Sequence, residues 1–316
     1  MRLAAASAGS GREGECTIKA AQFSRFGGPD VLEIVDLPDP QPGPGEVRIR
    51  VRAAGVNASD WKKRQGLMDQ ELPQTIGYEA AGVVDEAGDL ATGVQPGDAV
   101  FGLGAGGAQA ELAVLTTWCR LPASLDFTAA AALPSAAETA ARALDQLGVT
   151  AGSTVLVNGA SGSVGSAAVQ FAVHRGARVI GTGSPATHEY VRDLGAEPVA
   201  YGDGMPGRVL AIVPGGVDLA LDVAGNGVLP ELTGLAGGAD HVITIADFPG
   251  AREHGVRFSR GDSGRAEYAL GLAARLAGAG RFRIPVGATF PLADIAGAHR
   301  TGESGQVRGK LVLLVG

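Results

Sequence analysis

The chain has 316 residues, 45% of them hydrophobic, which is enough apolar material for two cores. Its 26 basic and 33 acidic residues leave a formal charge of −7, which argues against nucleic acid as a main partner. The two cysteines, Cys16 and Cys119, lack metal-ligand spacing and suggest a reducing, cytoplasmic setting without a disulfide framework, and no apolar window is long enough to span a membrane.

In chain order, residues 1–16 carry an apolar piece, Leu3-Ala4-Ala5-Ala6, too short for a signal sequence, and are expected to form a disordered extension. Ile18 to Phe23 and Leu32 to Val35 predict a hairpin around Gly27-Gly28-Pro29-Asp30. The prolines between Pro38 and Gly45 force an irregular connection, and Glu46 to Ala54 alternates through Val47, Ile49 and Val51 as a half-buried strand. Its end, Gly55 to Gly66, mixes polar groups with an aromatic at a strand-to-helix junction, a plausible place for a site. Gly77 to Val84 and Val94 to Phe101 predict further strands, Gly102 to Gly107 a mobile loop, and Thr128 to Leu144 a helix leading into a second domain.

That second domain centres on Ser153 to Gly165. An unalternating, β-branched run breaks into glycines and passes into a helical pattern, the strand, turn and helix context that a dinucleotide fingerprint needs. Gly159 takes the turn, Gly162 lets backbone N–H groups approach a pyrophosphate, and Gly165 lets the helix pack close, so Gly159, Ala160, Ser161, Gly162, Ser163, Val164 and Gly165 are the candidate cofactor cradle. Arg178 to Gly181 and Val217 to Val223 predict more strands, with a helix over Thr187 to Leu194, and the alternation argues for a doubly wound parallel sheet of the α/β class. Arg265 to Ala279 reads as helical, Phe282 to Val286 as extended and Lys310 to Val315 as a final strand that could return to the first domain. No nucleophile elbow of a Ser-His-Asp hydrolase is present, because Gly159-Ala160-Ser161-Gly162 has the wrong spacing.

Gly55-Val56-Asn57-x-x-Asp60, Gly77-Tyr78-Glu79-Ala80-Ala81-Gly82, Pro96-Gly97-Asp98, the glycine turn and Gly309-Lys310-x-Val312-Leu313 stand together in one order. From Thr17 to the C-terminus the chain resembles the medium-chain dehydrogenase/reductase superfamily, in its zinc-free quinone oxidoreductase, or zeta-crystallin-like, branch. The resemblance implies a GroES-like β-barrel domain over 17–134 and 282–316, a Rossmann domain over 135–281, NADPH between them and a homodimer. In the zinc enzymes of the superfamily the metal ligands fall at positions that here are Asn57, Tyr78 and Ser135, none a good zinc donor, so no metal is expected. Without a Lewis acid, hydride delivery to an already electrophilic quinone or α,β-unsaturated carbonyl is favoured over oxidation of a plain alcohol.

The resemblance also assigns residues. Asn57 matches a position beside nicotinamide and acceptor, where its amide would donate to a developing oxyanion; the plainer alternative is a helix N-cap. Lys62 is a second donor candidate, to an enolate, with a hydrated side chain on the helix surface as the plainer alternative, and Thr139 matches a family threonine near the nicotinamide ring. Glu138 departs from the family pattern and is expected to form a solvated helix pair with Arg142. Gln109 stands where relatives often have an aromatic and would make the acceptor pocket less aromatic. Ser184, His188 and Tyr201 match the 2′-phosphate site, and Arg308, near the terminal strand, is a further candidate for a phosphate or an interface. The expected activity is NADPH-dependent reduction of a quinone or enone. The alternatives are an enoyl reductase acting on a polyketide-like or acyl intermediate, and an NADPH-binding protein without redox turnover.

Overall fold

The computed structural model describes residues 17–261 and 264–316, so the extension assigned to 1–16 lies outside the described residues. In chain order the strands are β1 (Thr17–Phe23), β2 (Glu33–Pro38), β3 (Val47–Val56), β4 (Gln74–Thr75), β5 (Glu79–Ala87), β6 (Ala99–Leu103), β7 (Leu112–Leu115), β8 (Thr117–Arg120), β9 (Thr154–Asn158), β10 (Arg178–Gly183), β11 (Glu197–Ala200), β12 (Leu219–Asp222), β13 (Val242–Thr244), β14 (Arg257–Phe258), β15 (Val286–Pro291) and β16 (Lys310–Leu314). Five helices frame the site: α1 (Ala58–Arg64), α2 (Phe127–Ala131), α3 (Pro134–Leu147), α4 (Ser163–His174) and α5 (His188–Asp193).

The β-rich part is organised on β3, which is flanked by β5 along one edge and, on the other edge, by β7 against Val47–Arg50 and β16 against Ala53–Val56, in the order β15-β16-β3-β5-β6-β8. The terminal strand therefore returns to the first sheet, with Leu311 opposite Val56. The expected hairpin of β1 and β2 forms beside it, and β4 adds to the free edge of β1.

The other sheet is parallel throughout, in the order β11-β10-β9-β12-β13-β14. Both faces of β9 are covered, which explains its unalternating sequence: Val155 and Val157 pack in the core that includes α3 and α4, while Leu156 packs with Met205 and Val209 on the opposite face. Full burial of each such side chain contributes about 1.5–3 kcal/mol. The chain winds outward in both directions from β9, so the crevice for a ligand opens at the carboxyl ends of β9 and β12.

Three local expectations are corrected. The alanine-rich run is two helices, because Pro134 has no N–H to continue the ladder of α2 and instead starts α3. Gly102 and Leu103 belong to β6, where a Cβ on Gly102 would stand 2.2 Å from the Thr117 carbonyl oxygen, so close backbone pairing selects glycine there. Finally, Phe282 and Ile284 are buried outside any strand, Phe282 stacking on Phe171 at 4.8 Å, and β15 begins only at Val286.

Candidate active site

The cradle after β9 has the three glycine roles distinguished by space. Gly159 sits at φ +90°, and a Cβ on Gly165 would lie 2.1 Å from the Gly159 carbonyl oxygen, so α4 can approach the turn only without a side chain. At Gly162 the nearest atom to a Cβ is 3.6 Å away, and the residue is exposed, leaving an open approach at the N-terminus of α4. Ser161, Ser163 and Val164 are half-buried around it and Ala160 is buried, its N–H donating to the Thr182 carbonyl at 2.9 Å.

Beneath the turn lies a polar network that the sequence reading missed. Gly159 N–H donates to Thr182 Oγ1 (2.9 Å), whose hydroxyl donates to Asn158 Oδ1 (2.7 Å), and Asn158 Nδ2 donates to Asp222 Oδ1 (2.9 Å). The fully buried Asp222 also accepts from Gly225 N–H at 2.9 Å and Thr244 Oγ1 at 2.7 Å. These bonds tie the carboxyl ends of β9, β10, β12 and β13 into one rim and hold the turn in place. The available signal was a polar residue near the end of each of these otherwise apolar strands.

At the tip of β10 no acid is present, and Ser184 follows directly. Tyr201 is anchored there by its N–H on the Gly183 carbonyl (3.3 Å) with its side chain exposed, and Arg308 Nη1 donates to the Ala186 carbonyl at 3.2 Å. His188 opens α5; its Nε2 is buried and, among the described residues, has no hydrogen-bond partner. The structure thus brings Ser184, Tyr201 and Arg308 to one strand end, with His188 four residues beyond Ser184. This basic, hydroxyl-bearing rim and the open cradle fit a dinucleotide phosphate chemistry.

Asn57 is held on a buried cluster. Its Nδ2 donates to Glu79 Oε1 at 2.7 Å, its Oδ1 accepts from Lys310 Nζ at 2.5 Å, and Lys310 Nζ lies 2.5 Å from the same Glu79 oxygen. Asn57 is the N-cap of α1, in a capping box with Asp60, whose Oδ2 accepts the Asn57 backbone N–H at 2.8 Å. A Cβ on Gly55 would meet Glu79 Oε1 at 2.3 Å, which accounts for that glycine. Behind the cluster Gln109 is fully buried and donates through Nε2 to the Gly55 carbonyl (3.0 Å) and to Asp60 Oδ2 (3.1 Å). It is part of the β-domain interior and not a pocket wall. Burial pushes the Asp60 carboxyl up to about 7, against the Asn57 N–H and the Lys310 charge that hold it down; the Glu79 charge adds to the rise.

Lys62 is half-buried and, among the described residues, its side chain makes no hydrogen bond or ion pair. Its neighbour Lys63 donates to the Thr75 carbonyl at 3.0 Å and stands 5.7 Å from the Tyr78 ring centroid, partial burial drawing its ammonium pKa down and that of the Tyr78 hydroxyl up. On α3, the Ser135 N–H donates to Glu79 Oε2 at 2.8 Å, joining the helix to the cluster, and Thr139 lies one turn further along that face. Thr139 Oγ1 is 3.4 Å from Glu138 Oε2. Glu138 does pair with Arg142 at 2.8 Å, but both are buried and Glu138 also accepts from Ala266 N–H at 3.2 Å, so the solvated pair expected from the sequence is an interior tie.

A GroES-like β region joined to a parallel dinucleotide-type sheet defines a medium-chain dehydrogenase/reductase. The family model described as "Alcohol dehydrogenase GroES-like domain" matches residues 43–124, and that described as "Zinc-binding dehydrogenase" matches 194–313. The chain is similar to the human quinone oxidoreductase, with 32% identity over 96% of this chain and 99% of that protein. It is 35% identical over 57% of its length to an NADPH-dependent alkenal/one oxidoreductase of Arabidopsis thaliana, covering 51% of that protein. The solved quinone oxidoreductase of Coxiella burnetii superposes with a TM-score of 0.83 at 30% identity, over 95% of this chain and 100% of that one. The chain therefore belongs to the medium-chain dehydrogenase/reductase superfamily, in its quinone oxidoreductase branch, and is an oxidoreductase of an NAD(P)-binding family.

Zinc does not fit the donors present. The Asn57 amide is engaged by Glu79 and Lys310, Ser135 reaches the cluster through its backbone N–H, and an ammonium stands where a dication would need anionic or imidazole ligands. Among the described residues no group of three or more His, Cys, Asp or Glu side chains is placed to hold a metal.

Proposed function

We propose that the chain is an NADPH-dependent, zinc-independent reductase of a quinone or an activated enone. The observation that carries this reading is the Asn57, Glu79 and Lys310 cluster, an amide held by an ammonium and a carboxylate at the end of the strand that leads into α1. Relatives named for quinone and for alkenal/one reduction support it. In this reading residues 17–134 and 282–316 form the catalytic domain and 135–281 the nucleotide domain, as a homodimer.

When bound, the dinucleotide would supply a hydride to the acceptor, and solvent or a nearby side chain would return the proton to the oxyanion that forms. The backbone N–H groups of Ser161, Ser163 and Val164 at the start of α4 would hold its pyrophosphate, helped by the positive end of the helix, while Gly162, whose own N–H donates to the Gly159 carbonyl at 3.1 Å, keeps the approach open. Ser184, His188, Tyr201 and Arg308 take the 2′-phosphate. Asn57 has a second amide N–H beyond the one given to Glu79, and this donates to the acceptor oxygen as negative charge develops there. Lys62, its side chain free of other partners among the described residues, is the second donor, and Thr139 orients the nicotinamide from α3.

Steady-state turnover of a quinone panel beside an enone panel, each with NADPH and NADH, tests the proposal. Oxidation of NADPH by at least one panel, lost in Asn57→Ala, is expected. Tight NADPH binding without oxidation by any acceptor would overturn it in favour of a non-redox binding protein.

A further inference from the structure

We propose that Lys310 is a positioning residue that fixes the rotation of the Asn57 amide, keeping one N–H free for the acceptor oxygen. This rests on the reading of Asn57 as the oxyanion donor. A carboxamide has a donor end and an acceptor end of nearly equal size, so packing alone does not choose between its two orientations. Here the choice is made by charge. Lys310 Nζ, which can only donate, faces Oδ1 at 2.5 Å, and Glu79 Oε1, an acceptor, faces Nδ2 at 2.7 Å. Turning the amide over would set its N–H groups against an ammonium and its carbonyl against a carboxylate. Lys310 is 2% exposed and Glu79 0%, so water cannot relieve either contact.

The arrangement is built from three neighbouring strands. β3 ends at Val56 and presents Asn57, while β16 on one side opens with Lys310 and β5 on the other opens with Glu79. Glu79 is itself fixed, because its second oxygen accepts the Ser135 N–H at 2.8 Å. The C-terminal strand thereby completes the donor site of the first domain, and Lys310 acts on the acceptor only through Asn57.

The test compares wild type, Asn57→Ala, the double variant Glu79→Gln/Lys310→Met and the triple variant. The double variant removes both charges together, so no buried ion is left unpaired and the fold is preserved. Asn57→Ala is expected to lower kcat about a hundredfold. The double variant should lower kcat about tenfold while leaving KM for NADPH unchanged. The triple variant should match Asn57→Ala alone, because residues acting through one group are not additive. Lys310→Arg should retain most of the rate. Losses that multiply in the triple variant, or a double variant with wild-type kcat, would overturn the inference.

A second readout needs no turnover. The side-chain amide resonances of Asn57, identified by their disappearance in Asn57→Ala, should shift and broaden in the double variant as the amide gains a second orientation. Unmoved resonances would overturn the inference even if no acceptor were reduced, whereas a normal rate in Asn57→Ala would sink only the role given to Asn57 in the reaction.

Discussion

Arg308 reaches the end of β10 from the far end of the chain, and its guanidinium on the Ala186 carbonyl adds a cation where an NAD-specific site would carry an acid. With Ser184 and Tyr201 at the same strand end and His188 at the start of α5, we expect NADPH to be preferred over NADH. Charge-assisted hydrogen bonds contribute about 1.5–3 kcal/mol each, so two of them, discounted for desolvation of the phosphate, give roughly a tenfold to several-hundredfold preference. The ratio of kcat/KM for the two cofactors should fall in Arg308→Ala, His188→Ala and Tyr201→Phe. Ratios unchanged in all three would show that the phosphate lies elsewhere. Single motif positions such as Asn57 and Ser184 could be picked out of the sequence because turn and strand signals surround them. The partners of Asn57 could not, since Glu79 is 22 residues away and Lys310 is 253, and only strand pairing makes them neighbours. Gln109 was misjudged for the same reason: what buries it is Gly55 and Asp60, on another strand and helix.

Among the elements, the β9 turn and α4 were the most legible, because a fully buried strand and a glycine turn leave a local signature. The space around each glycine yields a graded prediction. Gly162→Val meets no atom closer than 3.6 Å at its Cβ, so the protein should fold and melt near wild type while NADPH affinity falls by at least tenfold. Gly165→Val, with backbone 2.1 Å away, should instead fail to fold stably. Calorimetry and a fluorescence titration separate the two; undiminished NADPH affinity in Gly162→Val would remove the cofactor from the turn. The short edge strand β14 supports a second expectation. Among the described residues it pairs only with β13, and the neighbouring Phe248 is 45% exposed, packed edge-on against Phe258 at 5.3 Å. An unpaired edge beside an exposed aromatic suits a second copy of the chain, so light scattering should give a dimer, and Phe248→Glu should shift it toward monomer. A monomeric wild type at assay concentration would refute this.

At the scale of the whole molecule, the return of the last strand to the first sheet was readable from the Gly309-Lys310 motif, but the charges it buries were not, and two of the buried groups set opposing responses to pH. Asp60 has its pKa raised from 3.8 to about 7, chiefly by burial, with Lys310, Glu79, Gln109 and the Asn57 N–H around it. His299 has its pKa lowered from 6.5 to about 3, chiefly by burial and then by the Arg64 charge, which is itself paired with Glu303; among the described residues neither imidazole nitrogen has a hydrogen-bond partner. A raised folded pKa gives stability that is present below 3.8 and lost as pH rises through about 7. For His299 the sign is opposite: its neutral burial costs nothing above pH 6.5, and stability is lost as pH falls toward 3, because only the unfolded chain takes up the proton. Between about pH 4 and 6.5 the two slopes, each about 1.4 kcal/mol per pH unit, cancel. The wild-type unfolding free energy should therefore be nearly flat from pH 6.5 to 5 in denaturant titrations. Asp60→Asn, which keeps an acceptor for the Asn57 N–H, should uncover a loss of about 2 kcal/mol over that interval, and His299→Leu a gain of about 2 kcal/mol. Variants whose pH profiles run parallel to wild type would show that these two buried groups do not govern the response.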